Sequence, residues 1–391
     1  MITVAEAFQL VSESIPAPLP ENVGLSDATG RILLEDIHAE RDMPPFDRVM
    51  MDGYALKWSE FLPTEFEIKG IALAGHPSPE LEDESGCIEV TTGAPLPTGC
   101  DVVVPVEDCI VEDNCIRLRD GVQLEAGKFI HTRGSDGLMG RRVLERGTYL
   151  GPPELSILAS EAMNEVAVGL VPRICLVTTG DEVVLNGGPV LPHQIRGSHS
   201  ETLKSVFSVF PGMQVSHAHA LDDEGILTAT LEKALEDSDI LIITGGVSRG
   251  KKDLVPGILK NLHVEEVLHR VGQRPGKPLW FGKRGAKLVF GLPGNPVSAL
   301  VCARRYIFPV VEKSMGRSNT APRQVSVPEG VEALANLVRF TPVVVSGIHY
   351  KTAPFHTSGS LHDLAGTAGF IEVPAGGHQG DIYDFYPWTS R

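Results

Sequence analysis

The stretch ICLVTTGDE (residues 174–182) opens with four apolar residues and breaks into a polar turn holding a glycine and two acids. DILIITGGVSRGKKD (239–253) repeats the design, with Gly245, Gly246 and Gly250 following the apolar run. Short apolar runs bounded by turn residues predict buried strands, and helical spacing over 200–210, 253–262 and 295–311 predicts helices between and after them. Such alternation argues for a mainly parallel sheet covered by helices. In open sheets of that kind, ligands bind beyond the carboxyl ends of the strands, so both loops should face a crevice. The glycines let backbone amides turn toward an anion, and Ser248 adds a hydroxyl near the next helix. A glycine pair after a strand also serves as an ordinary tight turn.

Outward from this core the pattern changes twice. Toward the N-terminus, Thr3 and Glu6 are spaced as a capping box ahead of Val4, Ala7, Phe8 and Val11, predicting a helix over 3–14 that ends in a loop with Pro16, Pro18 and Pro20. Residues 42–136 break into β-like runs at 66–71, 87–92, 102–106 and 109–118, and 153–163 return to helical spacing. Toward the C-terminus, 338–345 and 369–373 again read as strands. At 391 residues with 42% apolar content, the chain is long enough for several domains with ordinary cores. The division expected is a split domain of 1–41 and 137–168, a β-rich domain of 42–136, an α/β domain of 169–317 and a C-terminal β domain of 318–391.

Charge narrows the function. The net charge is −16, the wrong sign for a chain that coats nucleic acid or an anionic membrane. Yet residues 249–287 hold ten Lys or Arg against three acids, a local balance of +7, suited to a phosphate or another small oxyanion or to a solvated positive face. Neither a P-loop nor a dinucleotide-binding glycine motif occurs. The six cysteines form no C-x-x-C pair and read as reduced thiols of a cytoplasmic protein. Met1–Ser14 carry Glu6 and Glu13 and no basic flank, which argues against a secretory signal, and no apolar run is long enough to cross a bilayer.

Carboxylates share the strand-end loops: Asp181, Glu182, Asp222, Asp223 and Asp253. There they can hold Mg²⁺ against phosphate oxygens or orient water, while Asp223 and Asp253 also stand where N-cap residues stand. His217 and His219 should share one face of a strand, as structural histidines more than as a metal pair. In GLPGNPVSAL (291–300), Asn295 fits an N-cap, Pro296 the first helical position, and Ser298 a first-turn hydroxyl facing the crevice.

Taken together, MPPFDRVMMDGYAL (43–56), TTGAPLPTGCDVVVPVED (91–108), RGSD (133–136), TTGDE (178–182), TGGVSRGKKD (244–253), RPGKP (274–278), GLPGNPVSA (291–299) and SGSLHDLAGTAGFIEVP (358–374) resemble the molybdopterin molybdenumtransferase family, to which the C-terminal domain of gephyrin also belongs. The resemblance runs the length of the chain in order. It implies the four-part protomer above, with a central α/β molybdopterin-binding domain, and a homodimer whose active site combines the α/β domain of one subunit with the β domain of the other. The activity implied is insertion of molybdate into adenylylated molybdopterin, with Mg²⁺-dependent release of AMP, to form molybdenum cofactor. A molybdopterin adenylyltransferase would supply the substrate, and molybdoenzyme apoproteins or carriers would receive the product.

Motif by motif, the resemblance assigns catalytic acids to Asp52, Asp136, Glu182, Asp223 and Asp253, and metal contacts to Asp181, Glu182 and Asp253. Substrate contacts fall on Thr179, Ser198, Gly245, Gly246, Ser248, Gly250, Arg270, Arg274, Lys277, Pro293, Pro296 and Ser298. Two stretches depart from the pattern: Gly197-Ser198-His199 stands where the family usually reads Asp-Ser-Asn, and Arg249-Gly250-Lys251-Lys252 follows GGVS where a small apolar residue and an acid are usual. Both fall in the expected crevice. Two other readings use the same features: a non-catalytic scaffold or cofactor carrier of this family, and a nucleotide diphosphate hydrolase built on the same α/β domain, as in competence-damage proteins.

Overall fold

Thr3 caps the first helix, α1 (Val4–Glu13), as the spacing predicts: its hydroxyl accepts from the Glu6 N–H at 3.2 Å and the Glu6 carboxylate accepts from the Thr3 N–H at 2.8 Å. The structure is a computed structural model describing residues 1–61, 63–185, 187–247, 254–317, 321–377 and 380–388. The chain divides into two units: Met1–Glu35 with Arg146–Leu155 and Asn164–Arg391, and Asp36–Glu145 with Ser156–Met163.

The larger unit is built on a six-stranded sheet. Its strands are β1 (Ile174–Thr179), β2 (Val215–Ala220), β3 (Ile240–Thr244), β4 (Glu265–His269), β5 (Trp280–Arg284) and β6 (Lys287–Leu292), in the spatial order β2-β1-β3-β6-β5-β4. The first four in that order are parallel and the last two antiparallel. Helices α2 (His199–Phe207), α3 (Glu224–Asp237), α4 (Val255–Asn261) and α5 (Pro296–Cys302) cover it. Strand side chains alternate between faces, and the core divides accordingly. Ile174, Leu176, Ile240, Ile242, Leu288 and Phe290 join Leu203 and Phe207 of α2 and Val4, Ala7 and Val11 of α1 on one face. Cys175, Val177, Leu241, Ile243 and Val289 meet Leu227 and Leu231 of α3 and Ile258 and Leu259 of α4 on the other. Burial on both faces is why β1 and β3 read as unbroken apolar runs. The helix expected over 295–311 continues from α5 through a π-helical turn, Ala303–Ile307, into α6 (Phe308–Ser314).

In the same unit, Pro20–Gly24 pairs antiparallel with Glu165–Gly169, so the proline-rich loop resolves into a strand. A second six-stranded sheet holds Val338–Ser346, Gly369–Val373, Ile382–Pro387 and Arg323–Ser326, with His349–Thr352 beside the first. Its far edge is the two-residue strand Gln273–Arg274, which pairs parallel with Val338 and Arg339.

The smaller unit carries the β-rich sheet, in the order Val102–Pro105, Gly53–Leu56, Gly86–Val90, Phe66–Ala72, Cys115–Leu118, Cys109–Glu112. The single run expected over 109–118 is a hairpin. Asp113 and Asn114 both take positive φ, 46° and 65°, and reverse the chain in the two-residue turn that suits strand twist. The helix read at 153–163 is present as Pro152–Ser160.

Candidate functional site

Strands β1, β3 and β6 end level with one another: Thr178 pairs with Thr244, and Thr244 with Leu292. Their loops therefore emerge side by side at the carboxyl edge. The Thr179 hydroxyl donates to the Thr244 carbonyl at 3.3 Å, and the Gly245 N–H to the Leu292 carbonyl at 3.2 Å. Gly245 has φ +92°, and a Cβ there would lie 2.7 Å from Thr179 Oγ1, so both conformation and space require glycine. Gly246, at φ +66°, packs as closely against Val255 of α4. Ser248, Gly250 and Asp253, with Arg249, Lys251 and Lys252, lie outside the described residues.

The acids take separate posts along this edge. Asp181 Oδ1 accepts from the Asp222 N–H at 3.1 Å. Glu182 folds back over Gly180, and its carbonyl accepts from the Ile195 N–H at 2.8 Å. Asp223 caps α3, accepting from the Ile226 N–H at 2.9 Å. His217 Nε2 and His219 Nδ1 both reach the Thr178 hydroxyl, each at 3.0 Å, while His219 Nε2 is buried with no hydrogen-bond partner among the described residues. No group of three or more His, Cys, Asp or Glu is placed to hold a metal among the described residues. Ser198 stands at the N-cap position of α2 without a side-chain capping bond. Next to it, His199 Nε2 is buried with no hydrogen-bond partner among the described residues, and burial pushes its imidazole below the ordinary histidine range. At Gly197, a Cβ would come within 2.8 Å of Leu185 Cδ2 and 3.0 Å of Val183 Cγ1.

Beside the strand ends lies a cavity of about 590 Å³ in which Arg274, Lys277, Pro293 and Ser298 converge. The side chains of Arg274 and Lys277 are exposed and have no hydrogen-bond or ion-pair partner among the described residues, so their charge is available. The loop carrying them is held from below. Buried Gln273 donates through Nε2 to the Gly276 carbonyl at 3.1 Å, and a Cβ on Gly276 would stand 2.5 Å from Cys302 Sγ. Pro296 occupies the first turn of α5, as read from the sequence. Asn295 stands at its N-cap but its side-chain oxygen makes no capping bond, and its Nδ2 donates to Ser358 Oγ at 2.9 Å. Ser298 is 3% exposed.

The sequence reading missed Arg339, Ser358 and His356 on the same cavity wall. Arg339 arrives because Arg274 is its register partner across the parallel pair, and it also bonds Glu332 at 2.7 Å. Arg270 takes φ +75° next to β4 and makes no ion pair among the described residues.

Asp52 and Asp136 belong to the smaller unit. Asp52 Oδ1 accepts from the Thr92 N–H at 2.6 Å and from its hydroxyl at 2.8 Å, and these bonds, led by the N–H, hold the carboxyl below the usual carboxylate range. Asp136 bonds His131 Nε2 at 2.8 Å. Arg48 bonds the other ring nitrogen at 2.9 Å; as a guanidinium only donates, Nδ1 accepts and Nε2–H donates to Asp136.

Residues 2–161 match the family model described as MoeA N-terminal region (domain I and II), and residues 175–313 the model described as probable molybdopterin binding domain. The chain is 36% identical to the molybdopterin molybdenumtransferase of Synechocystis sp., over 99% of this chain and 100% of that one. It is 32% identical to that of Synechococcus elongatus, over 94% of each. Among solved structures, the molybdopterin biosynthesis moea protein from Pyrococcus horikosii superposes with a TM-score of 0.84 at 27% identity, over 100% of both chains. Likeness of sequence and fold along nearly the whole length, around an α/β core whose strand-end loops flank a cationic cavity, makes this chain a member of the molybdopterin molybdenumtransferase family.

Proposed function

We propose that the protein inserts molybdate into adenylylated molybdopterin and releases AMP, yielding molybdenum cofactor. The observation that carries this reading is the cavity lined together by Arg274, Lys277, Arg339, Ser298 and Ser358. Cations and hydroxyl donors around one space suit a small tetrahedral oxyanion, which offers only acceptors. The loops at Thr179, Gly245, Gly246, Pro293 and Pro296, with Ser198 and Arg270, would shape the neighbouring pterin and phosphate site, and Ser248 and Gly250 would extend it.

Asp181 and Glu182 are hard oxygen donors on one loop, which fits Mg²⁺, an ion that needs only one or two carboxylates beside substrate phosphates. They would hold the ion with Asp253, and magnesium would supply neutralising charge for the phosphates. Asp223 keeps one carboxylate oxygen beyond its capping bond with which to orient water. Asp52 and Asp136 would be contributed by a second copy, making the protein a homodimer. The six cysteines are free thiols, in keeping with a cytoplasmic setting among an adenylyltransferase donor and molybdoenzyme acceptors. Among the described residues, no helix is long and apolar enough to cross a membrane.

AMP release from adenylylated molybdopterin should require both molybdate and Mg²⁺. Arg274→Ala and Lys277→Ala should each weaken molybdate binding tenfold or more, the effect of losing about 1.5–3 kcal/mol of charge-assisted bonding. Turnover indifferent to molybdate would overturn the reading. Mixing inactive Asp52→Ala and Glu182→Ala proteins should restore part of the activity if the site is shared between subunits.

A further inference from the structure

One ionisable pair on the cavity wall has no part in the reading above. His356 lines the cavity, and its ring is 77% exposed; Asp363, seven residues on, is 14% exposed. The His356 N–H donates to Asp363 Oδ2 at 2.9 Å, and ring Nδ1 lies 3.1 and 3.2 Å from the two carboxylate oxygens. The backbone bond is the main reason the Asp363 carboxyl sits below its usual range. An ionised carboxylate only accepts, so Nδ1 must carry the hydrogen. That assignment decides what the far side of the ring offers. In the neutral imidazole Nε2 is a bare lone pair, and it has no partner among the described residues. A lone pair cannot bond an oxyanion, which is itself all acceptors. Once protonated, the same nitrogen becomes an N–H donor, and the pair passes from net negative to neutral.

We propose that His356, oriented by Asp363, is a proton-gated ligand of the oxyanion cavity, so that a tetrahedral dianion is bound with uptake of a proton at Nε2. The inference rests on the reading that Arg274 and Lys277 line an oxyanion site. The charged groups around this wall are those two cations, Arg339 with its partner Glu332, and Asp363. Histidine alone among them changes charge through neutral pH. His356 touches the anion, whereas Asp363 acts through it and is a positioning residue. Binding and release of the anion are thereby linked to proton traffic at one nitrogen.

The test is calorimetric titration of the full chain with molybdate, and separately with sulfate, which stays a dianion throughout, at pH 6 and pH 8 in buffers of different ionisation heat. Affinity should fall about tenfold from pH 6 to pH 8, with proton uptake averaging about half a proton per site over that range. His356→Gln should still bind both anions but lose the pH slope and the uptake. Asp363→Asn should shift the slope to lower pH, because the imidazolium loses its counter-charge. Unchanged uptake in His356→Gln, or loss of binding at both pH values in a variant with wild-type thermal unfolding, would overturn the gating. If Arg274→Ala and Lys277→Ala leave anion affinity intact, the oxyanion site itself is misassigned, a failure distinct from that of the gate.

Discussion

Tyr306, on the π-helical turn, donates its hydroxyl to Oε1 of Gln273, two positions before the second residue of the Arg274–Lys277 loop. Both side chains are fully buried. Gln273 thus links the helix interior to the Gly276 carbonyl and holds the two cations over the cavity from beneath. Replacing it with leucine keeps the volume but strands the buried Tyr306 hydroxyl and removes one donor from the Gly276 carbonyl, which keeps the Leu279 N–H. Gln273→Leu should cost about 1–3 kcal/mol in urea denaturation, and it should weaken molybdate binding by loosening the loop that carries Arg274 and Lys277.

Asp223 serves two purposes that substitution can separate. Asp223→Ala should lower stability by about 1 kcal/mol through loss of the α3 cap. Asp223→Ser retains a capping oxygen and should unfold within about 0.5 kcal/mol of the native protein, since serine caps as well as aspartate. Turnover should be lost in both variants. Activity in the serine variant would confine Asp223 to capping.

The buried histidines set a pH dependence. Burial is the main cause holding His199 and His217 below the ordinary value of 6.5, and for His217 the charge of Lys204 adds to it. The unfolded chain therefore takes up protons at these sites before the native one does. Their contribution is fully present above about pH 6.5 and is lost as pH falls toward the lower native values. Melting temperature should drop from pH 7.5 to pH 5, and His199→Asn should flatten part of that slope.

The glycine at the start of α2 should resist restoration of the acid usual in the family. A Cβ at Gly197 meets Leu185 and Val183 at 3.0 Å or less, although both contacts are side-chain methyls that can yield. Gly197→Asp should cost about 1 kcal/mol or somewhat more, and Leu185→Ala should recover part of the loss by opening space. Denaturation of the single and double variants measures the coupling.

Much of this was legible where the signal is local. Thr3 and Glu6 announce a helix start, the runs at 174–177 and 239–243 announce strands buried on both faces, and Pro296 announces the first turn of α5. Arg339 could not be found that way. It reaches Arg274 through a pairing across 65 positions, and nothing in its own neighbourhood marks it. His356 and Ser358 lie in an irregular segment with no periodicity to read, and they gain meaning only from Asp363 and Asn295. Asn295 shows the opposite error: its position predicts a cap, but its oxygen makes no capping bond and its Nδ2 donates to the distant Ser358. The β-rich region was legible as strands, yet its hairpin at Asp113–Asn114 was hidden by the polar pair that forms the turn.

Helix α1 completes the core of a sheet synthesised long after it. Val4, Ala7 and Val11 pack with Ile174, Leu268 and Met315, Ile2 bridges to Val271, and Lys313 reaches back to the Ser12 carbonyl. At translation rates of about 5–20 residues per second, the first dozen residues wait roughly 15–60 s for their last partners to leave the ribosome. Until then the surface that covers their apolar stripe is incomplete. Helix α1 is therefore among the last elements of this core to settle, and a nascent-chain holdase that reads amphipathic helices would find its stripe uncovered.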